Sequence, residues 1–78
     1  MTTVTSRFKV RDILEESFEL KEMNNGYITF VEHAEYLYDD PQLLNNIRDF
    51  STGDIVKLTL ESQNKKNTIW KITKIHDE

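Results

Sequence analysis

The chain has 78 residues, no cysteine and a formal net charge of −4. That length holds one small domain, 1–78, which buries only about 60–65% of its unfolded surface. Without cysteine there are no disulfide staples and no thiolate metal sites, so stability must come from an apolar core or from oligomerisation. The acidic balance opposes loose attachment to nucleic acid or anionic membrane, and no apolar run approaches the roughly 18 residues of a spanning helix.

Residues 1–6 are Thr-rich and short, and are expected to fray. Residues 1–7 lack the basic start and apolar segment of a secretory leader, and with no cysteine a cytoplasmic location is expected. From Arg7 to Leu14, Phe8 and Val10 alternate with Arg7, Lys9 and Arg11 before the phase slips at Ile13 and Leu14. One extra residue exchanges the two faces of a strand, so a bulge near Asp12 is expected, with a helical turn over 11–16 as the alternative. Glu15-Glu16-Ser17 reads as a turn. Phe18 and Leu20 alternate with Glu19 and Lys21 in a second strand, and Ile28 and Phe30 oppose Tyr27, Thr29 and Val31 in a third. Asn25-Gly26 between them predicts a type I′ hairpin turn, which needs positive φ at both central residues.

His33–Asp40 carries no clear period. Asp40 then reads as an N-cap with Pro41 at the first helical position. Leu43, Leu44, Ile47 and Phe50 form an apolar stripe at three- and four-residue spacing, predicting a short helix over about 41–50 with Gly53 as its stop signal. Gly53–Ile75 is the anchor of the chain. Val56, Leu58 and Leu60 alternate with Lys57, Thr59 and Glu61, while Trp70 and Ile72 oppose Ile69, Lys71, Thr73 and Ile75. The 62–67 segment between these two strands has no apolar residue and two Asn that tolerate left-handed turns. Trp70 is expected in the core, opposite Val56, Leu58 and Leu60.

This order predicts a mainly β, barrel-like domain with one short helix, OB-fold-like in its β-β-β-α-β-β sequence of elements. An SH3-like barrel, or an open antiparallel sheet plus helix, is the runner-up.

Nothing in the residues points to an enzyme. His33 and His76 have no metal-pair spacing, and His76 is expected to be solvated. His33 with Glu32 and Glu35 makes only a weak cluster. Asp39-Asp40 has too few oxygen ligands for a calcium loop, and Gly26 and Gly53 make no phosphate loop. No catalytic residue, metal or cofactor is expected. Two binding functions remain. The first is a protein-interaction or accessory module, through a partner or self-association, with Tyr27, Tyr36 and Tyr38 beside an acidic segment. The alternative is single-stranded nucleic-acid binding through Tyr27 and Thr29 on the sheet and Lys65 and Lys66 in the 62–67 loop. Net charge disfavours the alternative, and Glu15 and Glu16 would repel phosphate. The charge is uneven, however: five Lys against Glu61 over 57–74, and six acids against Arg48 over 32–54. No membrane role is expected.

Overall fold

A computed structural model describes residues 2–76. Five strands, β1 (Thr3–Ile13), β2 (Ser17–Glu22), β3 (Ile28–Glu32), β4 (Ile55–Ser62) and β5 (Trp70–His76), surround one core. A 3-10 turn (Glu35–Leu37) and helix α1 (Pro41–Arg48) lie between β3 and β4. The sheet closes on itself in the order β1-β2-β3-β5-β4. Neighbours run antiparallel except β3 and β5, which are parallel. The domain is therefore mainly β with one short helix, in the expected order.

Closure depends on β1. Its first half pairs with β4, from Thr3↔Glu61 to Lys9↔Ile55, and its second half pairs with β2, from Phe8↔Glu22 to Ile13↔Phe18. The register shifts between Val10 and Asp12, so the expected bulge is present and lets one strand serve two neighbours. The expected fraying of residues 1–6 is corrected. Thr3–Ser6 pair with Leu58–Glu61, because β4 would otherwise expose an unpaired edge along half its length. Met1 lies outside the described residues.

The core is Phe8, Val10, Phe18, Leu20, Val31, Ile47, Leu58, Leu60 and Ile72. Trp70 does not belong to it as expected: the side chain is half-buried and packs against the core from its rim. The ladder explains this, since Trp70 opens β5 opposite Ser62 and Ile72 takes the place opposite Leu60. A second register shift, between Thr59 and Leu60, sets Ile75 opposite Leu58. Ile75 therefore packs against the core, although strict alternation would leave it on the polar face.

Asp40 caps α1, its Oδ1 accepting from the Gln42 and Leu43 N–H groups at 3.0 and 3.2 Å. Leu44 and Ile47 are buried. The helix ends at Arg48 rather than at 50, and Phe50 beyond it packs on Phe18 with ring centroids 6.0 Å apart. Gly53 is not the helix stop. With φ +98° it turns the chain into β4, donating to Val10 O at 2.7 Å while Val10 N–H donates to Asp54 O at 2.8 Å. The type I′ turn is also absent. Of Asn25 and Gly26, only Gly26 has positive φ (76°), and a four-residue loop closes through Glu22 N–H donating to Tyr27 O and Gly26 N–H donating to Glu22 O.

Candidate binding face and barrel mouth

The ring is joined unevenly. Seven residue pairs link β1 to β4, but only Val31↔Trp70 and Glu32↔Lys71 link β3 to β5. Tyr38 reinforces this short seam. Its hydroxyl donates to Glu32 O at 2.5 Å and accepts from Ile72 N–H at 3.1 Å, bridging the two strands. Burial pushes the phenol up to about 12; the Ile72 N–H opposes this, and the Glu32 charge adds to it. Lys71 Nζ also donates to Leu37 O at 3.2 Å. Upstream of Val31, no strand among the described residues lies beside β3 on this side.

The outer face of β1, β2 and β3 follows from register, because residues directly opposite share a face. Lys9 lies opposite Lys21, and Lys21 opposite Ile28; Glu19 lies opposite Phe30. Phe8, Val10, Leu20 and Val31 take the inner face, so Lys9, Lys21, Ile28 and Phe30 point outward, with Phe30 52% exposed. Two lysines directly opposite destabilise a sheet; the next outward pair of that ladder, Asp12 and Glu19, is acidic. Arg11 Nε lies 3.9 Å from Glu19 Oε2. Lys9, Arg11 and Lys21 line a groove of about 460 Å³ that also touches Thr52 and Gly53. A second groove, of about 440 Å³, has Tyr27, Ile28, Thr29 and Phe30 on one side and Asn67, Thr68 and Trp70 on the other.

The loop facing β3 is held by its own side chains. Asn64 Oδ1 accepts from Thr68 N–H (2.9 Å) and Ile69 N–H (3.3 Å), and its Nδ2 donates to Thr68 Oγ1. Ser62 Oγ donates to Asn64 O, and Asn67 takes φ 55°. Trp70 Nε1–H donates to Asn67 O at 3.0 Å. This fixed loop exposes Lys65 and Lys66.

At the end of the ring away from α1 the barrel opens into a cavity of about 210 Å³. Val4, Phe8, Leu60, Tyr27 and Trp70 line it together with Glu22, Asn25 and Thr29. Glu22 is 8% exposed. The Ser6 hydroxyl and the Asn24 and Asn25 N–H groups donate to its carboxylate. Ser6 and Asn24 hold the carboxyl below its ordinary range; burial works against them, and Asn25 assists.

Of the residues singled out in the sequence, Tyr27 and Thr29 share both the second groove and the mouth. The loop bearing Lys65 and Lys66 forms the opposite side of that groove. The three tyrosines do not come together. Tyr36, 84% exposed, follows β3 at the end opposite Tyr27, and the Tyr38 hydroxyl is committed to the seam. His33 is buried, its Nε2 at 3.1 Å from Leu14 O and its ring 4.6 Å from Phe18. His76, expected to be solvated, is half-buried and bonds Thr59 Oγ1 at 2.7 Å. Among the described residues no group of three or more histidine or acidic side chains could hold a metal ion, and no helix is long and apolar enough to cross a membrane. Sequence reasoning missed Lys9, Lys21, Phe30 and Glu22. The alternation of β1 offered Lys9, but β3 has apolar residues on both faces, so periodicity alone could not say which one looks outward.

Comparison of the chain with protein-family models, with curated proteins and with solved structures finds no match.

Proposed function

We propose that the protein is a non-enzymatic binding module for single-stranded nucleic acid, held against the outer face of β1–β3 and the loop between β4 and β5. The carrying observation is the register that sets Ile28 opposite Lys21 and Lys21 opposite Lys9, with exposed Phe30 next along β3 opposite Glu19, Tyr27 at the rim and the Lys65-Lys66 loop across the groove. Aromatic side chains stack on bases whatever their sequence, and flanking lysines neutralise phosphate. The ring order β1-β2-β3-β5-β4, with the helix between β3 and β4, supports an OB-like reading, in which the second and third strands would form the ligand face. Glu19 and Asp12 stand on this face as well, with Arg11 Nε 3.9 Å from Glu19 Oε2. Asp40 and Asp49 flank α1.

Anisotropy of a labelled single-stranded oligonucleotide tests the reading. Binding should weaken with salt. The double variant Lys65→Glu, Lys66→Glu should make the logarithmic salt slope shallower by about 1.4, and Phe30→Ala should weaken binding by about 1–3 kcal/mol. Absence of binding at low salt eliminates it.

One observation favours a second reading, a protein partner that adds an extended segment to β3. The ladder with β2 turns the N–H and C=O groups of Ile28 and Phe30 toward the side where β5 has not yet begun. A solution mass above one chain, or capture of a partner that is lost on Ile28→Pro, supports that reading.

A further inference from the structure

We propose that the barrel mouth binds a methylated ammonium group, with Glu22 as its counter-charge and the Tyr27 and Trp70 rings as its walls. Strand binding on the outer face leaves Glu22 without a role beyond its turn. The carboxylate is nearly buried, and the donors that meet it, the Ser6 hydroxyl and the Asn24 and Asn25 N–H groups, are all neutral. A carboxylate met only by neutral donors at the wall of a largely apolar cavity attracts a cation.

The walls suit the same ligand. Aromatic faces attract cations, most strongly where water is excluded. The Nε1–H bond to Asn67 O fixes the Trp70 ring at the rim, and Phe8 and Leu60 close the inner side with apolar surface. Lys65 and Lys66 are exposed, so solvent screens them more than it screens Glu22.

The supply of acceptors selects the kind of cation. Glu22 already takes three donors, and Asn25 Oδ1 takes the Tyr27 N–H at 3.0 Å. The Tyr27 and Thr29 hydroxyls are the other side-chain acceptors among the lining residues. A primary ammonium brings three N–H donors, each of which must find an acceptor in a mostly apolar cavity. A quaternary ammonium has none to satisfy, and its methyl groups match the apolar lining.

The test is a titration of the full chain with tetramethylammonium chloride, followed by the fluorescence and indole N–H resonance of its one tryptophan. Sodium chloride controls for ionic strength and tert-butanol for shape without charge. A saturable response to tetramethylammonium alone is expected. Glu22→Gln should remove the preference for the cation over tert-butanol. Because Glu22 also holds its turn, Tyr27→Ala provides a second variant. That side chain is 71% exposed, so the fold should survive while binding weakens about fivefold. A short peptide carrying trimethyllysine separates the sources. Tighter binding than tetramethylammonium assigns the group to a protein side chain, and equal or weaker binding assigns it to a free small molecule. A response no larger than that to sodium chloride, or one matched by tert-butanol, overturns the proposal.

Discussion

The two ends of this barrel are built from the same strands and finished in opposite ways. At one end α1 drops Ile47 into the core, Phe50 packs on Phe18, and the Gly53 turn bonds back onto Val10. At the other end no helix among the described residues covers the strands, and Trp70, Tyr27 and Glu22 surround a cavity. The helix end spends its apolar side chains on burial. The mouth keeps rings and a carboxylate at a surface where they can meet something else. A domain this small has little stability in reserve, so one end must be closed tightly for the other to stay open.

The largest expected effect tests the closed end. Ile47 is fully buried, and Ile47→Ala should destabilise the domain by about 2–5 kcal/mol, out of a total of about 5–15 kcal/mol. Trp70→Ala, at a half-buried rim position, should cost about 1–2 kcal/mol, below the loss at a buried Trp. Urea unfolding followed by far-UV circular dichroism measures both. If Trp70→Ala is the more damaging, the mouth is core and the contrast between the ends fails.

Tyr38→Phe probes the short seam between them. It removes both hydroxyl bonds and leaves the Ile72 N–H unmet, an expected loss of about 1–3 kcal/mol. Hydrogen exchange at Ile72 should quicken. The raised phenol adds a sign. Its contribution is complete below pH 10 and is lost as pH climbs through about 12. That alkaline loss should vanish in the variant.

The smallest effect belongs to Glu22. Its folded carboxyl titrates below the ordinary 4.5, so the unfolded chain takes up the proton first. The contribution is present above pH 4.5 and fades as pH falls through the lower folded value. Acid unfolding of Glu22→Gln should have a shallower dependence in that window. An unchanged dependence would mean that the carboxylate is not held as described.

Local chemistry was enough for much of the architecture. Alternation over 56–60 marked Leu58 and Leu60 as inward, the phase slip after Val10 marked the bulge, and Asp40-Pro41 marked the helix start. Each depends on neighbours within a few residues. The binding surfaces depend on distant ones. Which side of β3 looks outward is set by its ladder to β2, so Phe30 emerged as exposed only in three dimensions. Trp70 became a rim residue because register put it opposite Ser62, and Glu22 became a buried carboxylate because Ser6, sixteen residues away, reaches it across the β1–β2 pair. Periodicity fixes two faces for every strand; closure of the ring decides which of them meets water.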